Sequence, residues 1–315
     1  MEDVIIIGSG PAGLGAALYA ARDDLKPLVI TGTNAGGQLL LTTLIENYPG
    51  FPEGVDGSEL IDLMHKQAEK FGARFVDGDV TKVDLTSSPF KLYVNGQLFE
   101  ANSIIIATGA SAKWLGLDSE KKFIGRGVSS CATCDGAFFR NKNVIVVGGG
   151  DTALQDAIFL TRFASSVTVV HRRNALRASK IMQERAFSNP KIKFIWDSVI
   201  EEIVGDTKVS GVKLKNIVTN ESSEMPIDGV FIAIGTSPNT SPFAGQLKLD
   251  EFGFIITHDI VFTDVEGVFA AGDVADKIYQ QAITAASTGV MAALRAREYI
   301  GKLKYEQGKS KSTQK

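Results

Sequence analysis

Residues 4–22 read VIIIGSGPAGLGAALYAAR, and residues 144–162 read VIVVGGGDTALQDAIFLTR. Each stretch is an apolar run, then a glycine-rich turn, then a helix of small residues. The apolar runs are continuous rather than alternating, the pattern of strands buried on both faces of a parallel sheet. A second apolar run follows each helix, at 27–31 and at 167–171, which completes a strand–helix–strand unit in each copy. The copies also close alike, on IIIATG at 104–109 and VFIAIG at 230–235. Two copies of one dinucleotide-binding architecture are the simplest account.

The expected fold is therefore α/β, with two Rossmann-like, three-layer dinucleotide-binding domains. A length of 315 residues is a soft prior for two domains. Past the second copy, TSPNTSPF at 236–243 reads as a linker. A strand at 267–271, Gly272-Asp273 and an Ala-rich helix from about 281 to 300 come next. This late segment has no counterpart in the second copy, so it is assigned back to the first domain. The first domain is then discontinuous, 1–112 with 244–315, and the second spans 113–243. The tail from Gln307 is rich in Lys, Ser and Gln and reads as disordered.

The formal net charge is −3, without a basic stripe, so nucleic-acid binding, which needs clustered cations, is excluded. The longest apolar stretches fall far short of the ~20 residues that span a bilayer. With the first strand starting almost at once, no signal peptide is expected, and the location is read as cytoplasmic.

In the first fingerprint, Gly8-Ser9-Gly10-Pro11-Ala12-Gly13, the glycines permit a tight turn and let backbone approach a pyrophosphate at a helix N-terminus. The acid that usually meets a ribose at the end of the next strand is missing; the sequence there is Ile30-Thr31-Gly32. The second fingerprint is Gly148-Gly149-Gly150-Asp151-Thr152-Ala153. Its next strand ends in His171-Arg172-Arg173, with Arg177 shortly after; a basic set there suits a 2′-phosphate, and so NADPH. A hydride donor and a disulfide need an intermediary, which makes FAD the ligand of the first domain, with Gly272-Asp273 placed to meet it.

The chain's two cysteines stand together in Ser130-Cys131-Ala132-Thr133-Cys134-Asp135-Gly136. A Cys-x-x-Cys pair can close a reducible ring and lowers one thiol's pKa, and Asp135 beside it can move a proton. Half of a zinc site is the competing reading, but His65, His171 and His258 lie far apart in sequence and a structural zinc takes four ligands. No metal site is expected.

These segments together resemble the low-molecular-weight thioredoxin reductases, a class II branch of the pyridine nucleotide-disulfide oxidoreductases. The resemblance covers all but the tail and rests on GSGPAG at 8–13, GGQL at 36–39, ENYPGFP at 46–52, IIATGAS at 105–111, CATCDG at 131–136, GGGDTA at 148–153, HRRNALRASK at 171–180, AIGTSPN at 233–239 and FAAGDVADKIYQQAIT at 269–284. It implies that Cys134 faces the flavin, that Cys131 attacks the disulfide of thioredoxin, and that Asp135 is the acid–base group. It further implies FAD contacts at Ser9, Gly10, Pro11, Ala12, Thr31, Gly32, Gly37, Gln38, Asn47, Val80, Asp273, Gln280, Gln281 and Ala282. NADPH contacts are implied at Gly149, Gly150, Asp151, Thr152, His171, Arg172, Arg173 and Arg177. Family members are homodimers that maintain redox homeostasis. One departure is Gln280, where the family usually has Arg; it bears on the flavin's surroundings, not on the reaction class. The reductase of alkyl hydroperoxide reductase shares the fold but carries an extra N-terminal region. Flavin-dependent dithiol oxidases lose the basic residues kept here. A non-catalytic nucleotide sensor would have no use for the cysteines.

Overall fold

The computed structural model describes residues 1–41 and 44–313. The chain divides into two units, Met1–Ser111 with Ser237–Lys315, and Ala112–Thr236.

In the first unit, the strand Glu2–Ile7 lies parallel between Leu28–Ile30 and Gln97–Ile106. Arg74–Val76 extends the sheet on one side and Val268–Ala270 on the other. The late segment pairs with Ile104, Ile105 and Ile106. Alternate residues of the first strand enter different cores: Val4 and Ile6 pack with the Ala-rich helices, Ile5 and Ile7 with an antiparallel meander. That meander is Val80–Asp84, Phe90–Val94 and the start of Gln97–Ile106. Burial on both faces is why the run had to be continuously apolar.

The helix Pro11–Arg22 and the helix Ala282–Thr313 approach closely at glycines. A Cβ on Gly289 would stand 2.0 Å from the Ala12 carbonyl oxygen, and one on Gly15 2.8 Å from that of Ala286. Small residues in both helices are the condition for that contact. The final helix continues well past Ile300 through residues expected to be disordered. The segment is rich in Lys, a good helix former, and contains no proline to stop it. Residues 314–315 of the expected tail lie outside the described residues.

The second unit repeats the plan. Asn143–Val147 lies between Ser166–Val170 and Gly229–Ile232, flanked by Ile192–Ile195 and Val128–Ser129, all parallel. A meander of Ser198–Gly205, Val209–Asn216 and Ser222–Pro226 covers one face. Val144 and Val146 pack against the helix Asp151–Leu160, while Ile145 and Val147 pack with Ile203 and Val212 of the meander. Helix layer, parallel sheet and meander make three layers in each unit.

The segment read as a linker behaves otherwise over much of its length. The chain leaves the second unit at Thr236, and Phe243 is fully buried in the core of the first unit with Leu247 and Ile255. Burying one phenylalanine is worth about 2–3 kcal/mol, enough to tie 237–243 to that unit rather than leave it as a free connection.

Candidate active site and cofactor cradles

The two glycine turns have the same division of labour. Gly8 (φ +111°) and Gly148 (φ +153°) press against neighbouring backbone: a Cβ there would meet the carbonyl oxygens of Ala107 at 2.2 Å and Ala233 at 2.4 Å. Gly10 and Gly150 face open space instead, with no atom nearer than 3.9 Å in the first case and none within 4 Å in the second. The third position packs the helix onto the turn: a Cβ on Gly13 would lie 1.9 Å from the Gly8 carbonyl, and Ala153 occupies the same place in the second copy. A tight turn, a clear approach and close helix packing are the three requirements of a dinucleotide pyrophosphate. Both cradles fit such a ligand.

In the first unit Ser9 draws three predicted segments together. Its hydroxyl donates to the Thr31 carbonyl at 2.9 Å and accepts from the Gly36 amide at 3.0 Å. Gly10, Pro11 and Ala12 follow at the helix start, and Gly32, Gly37 and Gln38 line the adjoining loop and short 3₁₀ turn. Gly272 abuts Ala12, whose Cβ a side chain on Gly272 would meet at 2.9 Å, and this places Asp273 beside the first fingerprint. Burial, with the nearby Asp276 carboxylate, pushes the Asp273 carboxyl up to about 7. Asn47 donates to Gln281 at 3.3 Å, which joins two predicted contacts 234 positions apart. Gln280 takes a left-handed conformation (φ +48°), its amide directed to Asp276, and Ala282 opens the last helix. Val80 stands apart, its side chain in the sheet core with Ile7 and Ile30.

Acidic side chains do meet the end of the second strand, carried by the loop that follows Arg74–Val76. Thr31 donates to Asp77 at 3.0 Å, and Asp79 accepts from both the amide and the hydroxyl of Thr33 at 2.9 Å. The acidic DGD at 77–79, directly after an apolar run, was the available signal.

In the second unit the basic loop is fastened to the glycine turn. The amides of Arg177 and Ala178 donate to the Gly149 carbonyl at 2.7 and 3.2 Å. Arg172, Arg173 and Arg177 are exposed, and among the described residues none pairs with a carboxylate. His171, grouped with them as cationic, is different. It is 6% exposed, with its ring against Gly149; burial above all, with a lesser effect of the three arginines, holds its pKa down against a backbone hydrogen bond with Ala175. At neutral pH it is an uncharged wall of the turn, and its Nε2 is buried without a partner. Thr152 sits exposed in the first turn of the helix, beside Asp151.

Cys131 and Cys134 are joined in a disulfide across the short helix Ala132–Asp135. The Cys131 Sγ accepts the Cys134 amide at 3.2 Å and lies 3.3 Å from the Thr133 hydroxyl. Both groups would stabilise a thiolate at that sulfur once the bond is reduced. The buried Ser129 braces the ring: its hydroxyl accepts the Cys131 amide at 3.0 Å and donates to the Cys131 carbonyl at 3.4 Å. Burial raises the Asp135 carboxyl, against a smaller opposing effect of Ser129, and so favours the protonated form that can act as an acid. Ser129 was not foreseen from the sequence, since a serine two residues before a cysteine carries no pattern of its own. Nor was Asp156, which burial lifts to about 7 on the helix behind this segment.

The sequence model of the pyridine nucleotide-disulphide oxidoreductases matches residues 2–289. The chain is 55% identical over 304 residues to the thioredoxin reductase of Rickettsia typhi, covering 95% of this chain and 98% of that one. It is 52% identical to the thioredoxin reductase of Streptomyces coelicolor over 310 residues, 97% of this chain and 96% of that one. The crystal structure of thioredoxin reductase from Streptococcus pyogenes superposes with a TM-score of 0.92 at 45% identity, covering 96% of this chain and 99% of that one. The chain belongs to the pyridine nucleotide-disulphide oxidoreductase family, within its thioredoxin reductase branch.

Proposed function

We propose that the chain reduces thioredoxin with electrons from NADPH, passed through FAD to the Cys131–Cys134 disulfide and on to the disulfide of thioredoxin. The observation that carries this reading is the closed Cys131–Cys134 bond in the same unit as the second fingerprint and the basic loop. Bound FAD supplies the conversion of a hydride into an electron pair for a disulfide. The first unit would hold it through residues 9–12, Thr31, Gly32, Gly37, Gln38, Asn47 and Asp273. Gly149, Gly150 and Thr152 of the glycine turn and the arginines 172, 173 and 177 would hold NADPH.

With the pair reduced, the Cys131 thiolate attacks one sulfur of the thioredoxin disulfide. A mixed disulfide forms, and the other thioredoxin sulfur leaves as a thiolate. Asp135 supplies the proton that this thiolate takes up. Cys134 then attacks the Cys131 Sγ, which releases dithiol thioredoxin and closes the ring again. Two electrons leave the chain's dithiol in each cycle, and the disulfide seen here is the state that results. Among the described residues no helix is long and apolar enough to cross a membrane. We place the reaction in the cytoplasm, carried out by a homodimer on a protein partner.

The test is NADPH oxidation followed at 340 nm with FAD-loaded protein, a thioredoxin and an excess disulfide acceptor. Rapid thioredoxin-dependent oxidation of NADPH, slow with NADH, is expected. NADPH oxidation that ignores thioredoxin would assign the dithiol to another partner.

A further inference from the structure

Asp151 stands at the first position of the helix Asp151–Leu160, immediately after the open Gly150. A helix N-terminus attracts anions, and a carboxylate placed there competes with a ligand's phosphate. The structure turns this carboxylate aside. Its Oδ1 accepts from Ser179 twice, from the amide at 3.0 Å and from the hydroxyl at 2.7 Å. Those bonds hold the Asp151 carboxyl below the usual range and so favour its ionised, accepting form.

Ser179 is the N-cap residue of the helix Lys180–Phe187, yet its hydroxyl makes no capping bond to its own helix. It reaches back 28 positions to Asp151 instead. Together with the Arg177 and Ala178 amides on the Gly149 carbonyl, it completes a three-residue seam between the basic loop and the glycine turn. Arg172 and Arg173 stand at the other end of that loop.

We propose that Asp151 and Ser179 form a latch that fixes the distance between the pyrophosphate turn and the arginines, and thereby positions the site for a 2′-phosphorylated adenine nucleotide. This rests on the NADPH reading above and assigns Asp151 a positioning role rather than contact with the nucleotide. An unlatched loop must be ordered by the ligand itself, and affinity falls by that ordering cost. The loss should be greatest for ligands that use both ends of the seam.

The test is calorimetric titration of the FAD-loaded protein with adenosine 2′,5′-bisphosphate, with 5′-AMP as the probe lacking the 2′-phosphate. Wild type should bind the bisphosphate at least tenfold more tightly than 5′-AMP. Asp151→Ala and Ser179→Ala should each weaken the bisphosphate about tenfold and 5′-AMP less than threefold, and the double variant should be no weaker than the weaker single. Asp151→Asn keeps the acceptor oxygen and should stay within about twofold of wild type. Hydrogen exchange at the amides of 177–179 should quicken in Asp151→Ala before any ligand is added. Should Asp151→Ala fail to fold, Ser179→Ala and Asp151→Asn carry the test alone. Unchanged affinity in Ser179→Ala, or additive losses in the double variant, overturns the latch. A wild type indifferent to the 2′-phosphate overturns the NADPH reading itself, and the latch with it.

Discussion

The two units share one strand order and differ in where the outermost strand originates. Beside Gln97–Ile106 lies Val268–Ala270, reached only after the chain has completed the whole second unit. Its counterpart beside Gly229–Ile232 is Val128–Ser129, which that unit lays down before the rest of its sheet. The segment just past the strand differs as well. In the first unit it is Gly272-Asp273, with a carboxyl lifted to about 7; in the second it is the helix that carries the disulfide. One position at the carboxyl edge of one fold thus carries a buried carboxyl in one copy and the disulfide in the other. Fold supplies the place, and a short segment supplies the reaction.

The strongest way to break that comparison is to remove the chemistry from one copy. In Cys134→Ser the ring cannot close, so thioredoxin reduction should fall at least about a thousandfold. Bleaching of the flavin band by NADPH should persist, because neither glycine turn is touched. Thioredoxin reduction at more than a few per cent of wild type would detach the reaction from this position.

A second experiment sharpens the contrast between the ends of the second strands, Thr31 in one unit and Arg172-Arg173 in the other. A charge-assisted hydrogen bond to a phosphate is worth about 1.5–3 kcal/mol, or roughly tenfold or more in affinity. Arg172→Ala with Arg173→Ala should raise the KM for NADPH about a hundredfold and leave that for NADH within threefold. Equal losses for both nucleotides would show that the loop does not discriminate the 2′-phosphate.

Much of this contrast was legible in the sequence, for a definite reason. Strands buried on both faces leave continuous apolar runs, and glycine turns that must admit a ligand leave fixed spacings, so residues 4–22 and 144–162 declared the architecture. The Cys-x-x-Cys pair is local too, closing across three positions. What could not be read depends on tertiary meetings of residues that are ordinary by themselves. Asp77 meets Thr31 only because strand Arg74–Val76 pairs with Leu28–Ile30. His171 looked like a fourth cation beside the three arginines until the fold buried it against Gly149. Phe243 belonged to a Pro- and Ser-rich stretch whose composition concealed a core residue.

The smallest effect concerns two carboxyls that the units hold alike. Burial raises Asp273 in the first and Asp156 in the second, each to about 7, whereas in an unfolded chain both titrate near the ordinary value of about 4. Between those limits these two groups keep protons in the folded protein that the unfolded chain has released, so their contribution to stability falls as pH rises from about 4 to 7 and levels off above, against an opposite contribution from His171. Each group contributes a slope of at most about 1.4 kcal/mol per pH unit, less where solvent reaches the carboxyl. Urea unfolding of FAD-free protein at pH 5, 6 and 7 should show the decline, and Asp273→Asn and Asp156→Asn should each remove part of it. Adding FAD should alter the part that belongs to Asp273, where the flavin's ribityl–phosphate chain would lie, and leave the part that belongs to Asp156. If FAD instead changes the contribution of Asp156, the division of cofactors between the two copies is reversed.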